Sequence, residues 1–174
     1  MSWAHKAITA LLFLAALALG VAAGRWLQQP APAAAPIDWT LAFPDLDGKP
    51  HQLSEWQGKI LIVNFWASWC PPCVEEMPEF AKLQQELAGQ DVQFIGILVE
   101  DEAAEAQAFL QTHPVNYPIL NGAIGGREWL AQLGNDAGVL PLSLVYGRDG
   151  TLAYRRAGRF GRDEVLKQLT PLLR

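Results

Sequence analysis

The sequence predicts one α/β domain in which a mixed β-sheet lies between helices and is preceded by an N-terminal β-hairpin. Apolar, β-rich runs alternate with segments whose apolar residues recur at helical spacing, which is the pattern of a sheet covered by helices. The last two predicted strands are joined by a short turn, so they are antiparallel and the sheet is mixed. The 174 residues, of which 51% are apolar, suffice for one domain with a hydrophobic core and a short extension.

Charge and cysteine content exclude two kinds of protein. The formal net charge is −5 at pH 7, whereas a nucleic-acid surface needs a basic stripe, so no nucleic-acid partner is predicted. The only two cysteines are separated by two residues, so no disulfide framework joins distant parts of the chain. The three histidines lie far apart, without the Cys-His spacing of a zinc site, so no metal ligands and no cofactor are predicted.

Residues 1–25 are predicted to be a signal peptide or a membrane anchor. Residues 7–23 carry no charge, and they follow Lys6 and precede Arg25. Their length lies at the lower end of the roughly 17–25 residues that span a bilayer, which favours an anchor. The small residues 21–23 fit a cleavage site, which favours a removed signal peptide, and both interpretations stay open. In either case we expect the rest of the chain to be exported.

The folded domain is predicted to begin after an extended spacer. Residues 26–36 are rich in Ala and Pro and form this linker, so the domain spans residues 37–174. It opens with a hairpin within residues 43–53, where Asp47-Gly48 supplies the turn. Residues 60–66 form an almost unbroken apolar run, as expected of a central strand that is buried on both faces.

The remaining elements follow from the spacing of apolar residues. Helical spacing predicts helices over residues 74–87, 102–111, 127–133 and 162–173. Short β-rich runs predict strands over residues 92–99, 142–146 and 151–156. These elements place helices on both faces of the sheet.

Cys70 and Cys73 stand between the central strand and the helix predicted from Val74. A helix N-terminus stabilises an anion through its unpaired N–H groups, so we expect Cys70 to be the more acidic, more accessible and nucleophilic thiol. Cys73 lies one turn further and is predicted to resolve the mixed disulfide, closing a redox-active Cys70–Cys73 disulfide. The two intervening prolines lack N–H donors for the thiolate, which favours a pair that donates electrons.

The segment from Asn64 to Cys73, with Glu76-Met77-Pro78 after it, resembles the active site of the TlpA/ResA/CcmG (DsbE) family. These are membrane-linked, thioredoxin-like reductases of the bacterial periplasm. The resemblance runs from about residue 37 to the C-terminus and implies a thioredoxin-like three-layer sandwich anchored to the inner membrane. It also implies reduction of disulfides in protein substrates, either the heme-binding cysteines of apocytochrome c or copper-delivery proteins. Electrons would come from a membrane thiol-disulfide carrier.

Glu76 is predicted to be the catalytic base that deprotonates Cys73. Thioredoxins usually carry a buried aspartate where this chain has Asn64, and an amide cannot accept that proton. Glu76 follows Cys73 by three residues on the same helix face, and the resemblance points to it as well. The alternative, a solvated carboxylate favoured by the helix dipole, stays open. Glu75 and Glu79 are expected to be solvated.

Leu140, Pro141 and Trp69 are predicted to bind the substrate. Pro141 matches the position at which thioredoxin-like proteins place a cis-proline facing the cysteine pair, so the resemblance implies a cis Leu140–Pro141 bond. A proline lacks an N–H donor, which leaves the neighbouring backbone free to pair with an extended substrate strand. The family often has a threonine after this proline, where this chain has Leu142. Trp69 is assigned to the surface, and the two aromatic residues that end the preceding strand are assigned to the core.

Two other functions remain open from the residues alone. A pair of soft thiolates could carry Cu(I), although the chain has only two methionines to assist them. A peroxiredoxin-like peroxidase would need a Pro-x-x-x-Thr-x-x-Cys segment, and the sequence contains none. Turnover with a protein disulfide, compared with stoichiometric Cu(I) retention, separates a reductase from a copper carrier.

Overall fold

The computed structural model describes residues 36–174, and its elements follow the predicted order. The strands are β1 (Ala42–Pro44), β2 (Pro50–Gln52), β3 (Ile60–Trp66), β4 (Val92–Leu98), β5 (Ile119–Asn121), β6 (Leu142–Tyr146) and β7 (Leu152–Ala157). The helices are α1 (Pro71–Glu86), α2 (Ala103–Thr112), α3 (Gly126–Gln132) and α4 (Arg162–Leu169), and a 3-10 turn spans Leu53–Trp56. The predicted leader, 1–25, and the linker up to residue 35 lie outside the described residues. None of the helices within residues 36–174 has the length and apolar character needed to cross a membrane.

The five main strands form one mixed sheet in the order β5-β4-β3-β6-β7. The central strand β3 is parallel to β4 and antiparallel to β6, and β7 is antiparallel to β6. Strands β1 and β2 form a separate antiparallel hairpin, which contacts β5 through a bridge between Asp45 and Leu120. The predicted mixed sheet and N-terminal hairpin are therefore confirmed.

The sheet has a hydrophobic core on each face, and β3 contributes to both. Its residues Ile60 and Ile62 belong to the core that α1, α2 and α4 cover, whereas Leu61 and Val63 belong to the core that α3 and the hairpin cover. This division follows from the alternation of side chains along a strand. All seven residues of β3 are buried, as predicted for a central strand.

Two helix ends differ from the prediction by three residues or more, and one strand was not predicted. Helix α1 begins at Pro71 rather than Val74, because proline is well tolerated in the first turn, where its missing N–H would have no partner. Helix α4 ends at Leu169 rather than residue 173, since Pro171 cannot donate the next helical hydrogen bond. Strand β5 was not predicted, because three residues are too few to show a periodicity.

The sheet brings separate parts of the sequence to one edge. Parallel strands β3 and β4 both end there, at Trp66 and Leu98, which are register partners. Strand β6 runs the opposite way and therefore begins at the same edge, with Leu142 opposite Phe65. The loops before α1, after β4 and before β6 consequently meet at this edge, where the cysteine pair lies.

Candidate active site

Cys70 and Cys73 form a disulfide across the first turn of α1. Their sulfur atoms are 2.05 Å apart and their Cα atoms 5.3 Å apart. Cys70 is the N-cap residue, with extended backbone, and its carbonyl oxygen accepts hydrogen bonds from the N–H groups of Cys73 and Val74, at 3.0 and 3.1 Å. Cys70 keeps 4% of its surface exposed and Cys73 none. The outer sulfur of the pair is therefore that of Cys70, as predicted, although the disulfide leaves little of it open to solvent.

The loop that leads into Cys70 is hydrogen-bonded to the loop that follows β4. The Ser68 N–H donates to Asp101 Oδ2 at 2.6 Å, and Trp69 Nε1 donates to the Glu100 carbonyl oxygen at 2.8 Å. Glu100, which supplies this carbonyl oxygen, adopts a left-handed backbone with φ of 54°, a conformation that is uncommon outside glycine. These hydrogen bonds hold in place the two residues that precede Cys70, the N-cap of α1.

The aromatic residues of this segment lie where the sequence predicted. Trp69 is 57% exposed and forms part of the surface beside the cysteine pair. Phe65 and Trp66 are fully buried, on opposite faces of the sheet. Trp69 is thus the aromatic side chain of the three that a partner protein can reach.

Glu76 is fully buried, so the interpretation of it as a solvated carboxylate is wrong. Asn64 Nδ2 donates to its Oε1 at 2.6 Å, and the Phe160 N–H donates to its Oε2 at 2.7 Å. Burial raises the pKa of Glu76 from its ordinary value of 4.5 to about 7, although both hydrogen bonds act in the opposite direction. A carboxyl with this pKa exchanges a proton readily at neutral pH.

Asn64 links Glu76 to the strand that follows Pro141. Asn64 and Ser143 are register partners across β3 and β6, and Asn64 Nδ2 also donates to Ser143 Oγ at 3.0 Å. Asn64 Oδ1 is buried and has no hydrogen-bond partner among residues 36–174. Ser143 was not predicted from the sequence; the available signal was a single small polar residue among the large apolar and aromatic residues of β6.

The Leu140–Pro141 peptide bond is cis, as predicted. Upstream of it, the Asn135 side chain bonds to both backbone groups of Val139: its Nδ2 donates to the carbonyl oxygen at 2.9 Å, and its Oδ1 accepts from the N–H at 3.0 Å. Within residues 36–174, neither the N–H nor the C=O of Leu140 forms a hydrogen bond with another backbone group. Leu142 is fully buried, so the residue that replaces the family's threonine belongs to the core.

The described residues contain no group of three or more His, Cys, Asp or Glu side chains arranged to hold a metal ion. Met77, the methionine nearest the cysteine pair in sequence, is buried in the core on the α1 face of the sheet. The site as it stands is a disulfide, a buried carboxyl group and the exposed Trp69, with Leu140 half-buried and Pro141 buried. Such a set can exchange thiols for disulfides and move the accompanying proton.

A comparison with known families finds a match to the redoxin family over residues 28–169. Among proteins of known name, the chain is 24% identical over 164 residues to the thiol-disulfide oxidoreductase ResA of Geobacillus thermodenitrificans. That alignment covers 94% of this chain and 92% of the relative. The similarity therefore extends far beyond the segment around the cysteine pair.

Solved structures support the same fold. A thiol:disulfide interchange protein from Chlorobium tepidum superposes with a TM-score of 0.68 at 27% identity, over 84% of this chain and 99% of that one. A secreted Mycobacterium tuberculosis disulfide oxidoreductase, described as homologous to DsbE of E. coli, has a TM-score of 0.66 at 24% identity. It covers 77% of this chain and 97% of its own, and at that identity it shows the fold alone. The predicted thioredoxin-like fold is confirmed.

Proposed function

The chain belongs to the redoxin family, and from this we propose that it reduces disulfide bonds in other proteins by exchange through Cys70 and Cys73. Its relatives are thiol-disulfide oxidoreductases named ResA and a thiol:disulfide interchange protein, and the chain is an enzyme of this kind. The single observation that carries the proposal is the Cys70–Cys73 disulfide across the first turn of α1, beside the buried Glu76. The disulfide form is the state of the enzyme after one reduction.

The reaction proceeds through two exchange steps. The Cys70 thiolate attacks one sulfur of the substrate disulfide, forming a mixed disulfide and releasing the other substrate sulfur as a thiolate, which takes up a proton. The Cys73 thiolate then attacks Cys70 Sγ, which releases the second substrate thiol and closes the Cys70–Cys73 disulfide. Two electrons pass from the enzyme to the substrate. A thiol donor must reduce the enzyme before the next turnover.

Glu76 serves as the base for the second step. It lies three residues after Cys73 on α1, and burial raises its pKa to about 7, close to the point at which a base accepts and returns a proton at neutral pH. The N–H groups of Asn64 and Phe160 that point at its two oxygens stabilise the ionised form, in which Glu76 can accept the Cys73 proton.

The surface around Cys70 supports docking of an extended segment of the substrate. Trp69 offers an exposed aromatic face, and Pro141 offers no N–H that would compete with the substrate backbone. The N–H and C=O of Leu140 are available for a strand-like pair of hydrogen bonds, because among the described residues they bond to nothing else. Trp69, Leu140 and Pro141 are accordingly the substrate-binding residues of this proposal.

We further propose that the enzyme works outside the cytoplasm, in the periplasm, and that residues 1–25 export it or hold it at the inner membrane. The charge pattern of that segment supports this location, as does a structural relative that is described as secreted. The substrates would be apocytochrome c with oxidised heme-binding cysteines or copper-delivery proteins. The electron donor would be a membrane thiol-disulfide carrier.

A Cys73→Ser variant should trap the substrate. Its Cys70 still attacks the substrate disulfide, but the second step is removed, so the mixed disulfide persists and can be isolated from exported proteins. We expect discrete adducts on non-reducing gels that disappear with reductant, and mass spectrometry should place Cys70 in the linkage. The matched control is the Cys70→Ser/Cys73→Ser double variant, which should capture nothing. Recovery of the same proteins by both variants would contradict the proposal.

A further inference from the structure

The segment of residues 158–162, which comprises the loop between β7 and α4 and the first residue of α4, contacts Pro141, Glu76 and Glu79. We call it the clamp loop. Three of its backbone N–H groups each donate to a different acceptor. They are Gly158 to the Pro141 carbonyl oxygen (2.8 Å), Phe160 to Glu76 Oε2 (2.7 Å) and Arg162 to Glu79 Oε2 (2.7 Å). The clamp loop therefore joins the substrate-binding proline to the helix that carries the cysteines and the base.

Glu79 holds the clamp loop on α1. One of its oxygens accepts the Arg162 N–H, and the other accepts a hydrogen bond from Arg159 Nη2 at 2.5 Å. Glu76 and Glu79 are three residues apart on the helix, so both carboxylates face the same loop. The expectation that Glu79 is solvated is wrong: it is half-buried and anchors two residues of the clamp loop.

Packing of Phe160 supports the same placement. Its side chain is fully buried, and its ring contacts those of Phe80 and Tyr154, with centroids 6.4 and 5.6 Å apart. The Phe160 ring thus draws the loop toward the core, while the Arg159–Glu79 pair ties its outer side to α1. Both contacts set the direction of the Phe160 N–H toward Glu76.

Several elements surround the Glu76 carboxyl group. Asn64 of β3 donates to it and also binds Ser143 of β6. Tyr117, before β5, is buried, which raises the pKa of its hydroxyl, and the nearby Glu76 raises that pKa further. Among the charged groups, Arg159 lowers the pKa of Glu76 and Glu79 raises it, and both effects are smaller than that of burial. Arg159 is thus the cation that supports the ionised form of the base.

We propose that Arg159 is a positioning residue for Glu76: by pairing with Glu79 it holds the clamp loop on α1 and keeps the Phe160 N–H on the Glu76 carboxylate. The inference rests on the proposed role of Glu76 as the base for Cys73. It adds a residue that touches neither cysteine. Loss of the Arg159 side chain removes a nearby positive charge and loosens an N–H donor, and both changes favour the protonated form of Glu76.

The test is an Arg159→Gln variant of the full chain. The first readout is the pH titration of the Glu76 carboxyl carbon by ¹³C NMR in the disulfide form, with its signal assigned by its absence in Glu76→Gln. We expect the midpoint to move upward from about 7, so that the ionised fraction at pH 7 falls from about one half to about one tenth. The second readout, the single-turnover rate of mixed-disulfide resolution at pH 7, should fall about fivefold.

Two further variants separate the positioning role of Arg159 from the effect of removing any arginine of the clamp loop. Arg162→Gln is the matched control, because the Arg162 guanidinium pairs with Glu86 while its backbone N–H remains on Glu79. It should leave the midpoint unchanged. Arg159→Lys keeps the positive charge and should restore most of the wild-type midpoint.

The outcomes distinguish the inference from the function on which it rests. If Arg159→Gln titrates Glu76 at the same pH as the wild type, or if Arg162→Gln shifts the midpoint equally, the positioning role is contradicted. If the midpoint moves as expected but Glu76→Gln leaves the pH profile of resolution unchanged, the positioning role stands and the assignment of Glu76 as the base fails.

Discussion

A Cys70→Ser variant is expected to lose reduction of protein disulfides by about a thousandfold or more, because the nucleophile of the first step is removed. A serine hydroxyl is not ionised at neutral pH and does not undergo thiol exchange, so no mixed disulfide forms. The loss should appear in steady-state reduction of a protein disulfide, measured by release of free thiols. Far-UV circular dichroism should stay native, since Cys70 lies at the start of α1 rather than within it.

The matched control for Cys70→Ser moves the thiol without removing it. Ser68 precedes Cys70 by two residues, in the loop before the helix. The Cys70→Ser/Ser68→Cys double variant has the wild-type composition, but its thiol lies outside the helix N-terminus. We expect no recovery of activity. Recovery to within tenfold of the wild type would show that the helix end is not what makes Cys70 reactive.

A Glu76→Gln variant is expected to resolve its mixed disulfide about a hundredfold more slowly at pH 8, because an amide cannot accept the Cys73 proton. The new amide fits the site if the Asn64 amide rotates by 180°: its oxygen can accept the Phe160 N–H, and its NH₂ group can then donate to Asn64 Oδ1, which takes the place of the Asn64 Nδ2 that donates to Glu76 in the wild type. Rapid-mixing kinetics of the second step from pH 5 to pH 9 should show the loss of the ionisation near pH 7.

The same variant is expected to be more stable than the wild type in alkaline solution. Burial raises the pKa of Glu76 from 4.5 to about 7 on folding, so between these pH values the folded state binds more protons than the unfolded state. Wild-type stability therefore falls as pH rises from about 4.5 through 7, and the cost reaches about 3 kcal/mol above pH 7. Urea denaturation of the disulfide forms at pH 5 and pH 8 should show Glu76→Gln gaining by about this amount at the higher pH.

Glu86→Gln is the control for both effects of Glu76→Gln. Glu86 lies on the same helix, half of its side chain is exposed, and it pairs with Arg162 at the surface. We expect its kinetics and the pH dependence of its stability to match the wild type. A Glu76→Gln variant that resolves its mixed disulfide within twofold of the wild-type rate across pH would remove Glu76 from the mechanism.

Regular burial patterns made most of the fold predictable from sequence. Both ends of strand β3 were predicted correctly, because a long apolar run between polar segments marks where a buried strand begins and ends. Strand β5 was not predicted, because its three residues become a strand by pairing with β4 and show no sequence pattern of their own. The start of α1 was placed three residues too late, since two prolines break the helical pattern although the first turn accepts them.

Local spacing also indicated part of the site. Cys70, the N-cap residue of α1, and Cys73 and Glu76 within that helix lie within seven residues of sequence, so their proximity follows from the chain itself. Ser143 and Phe160 reach Glu76 or its partner Asn64 only through the tertiary fold, across 79 and 84 residues of sequence. The burial of Glu76 likewise depends on a distant loop, and without that loop a helix-surface carboxylate would be solvated.

The central claim is that the N-terminus of α1 stabilises a thiolate on Cys70, which attacks the substrate, and that Cys73 then resolves the mixed disulfide. Its most direct test is the rate at which iodoacetamide alkylates the reduced protein from pH 4 to pH 10, with the modified residue identified by mass spectrometry. We expect Cys70 to react first, with a midpoint below the value of about 8.5 for a free cysteine, while Cys73 stays protected. Alkylation of Cys70 no faster at neutral pH than that of a cysteine in an unstructured peptide would contradict the account.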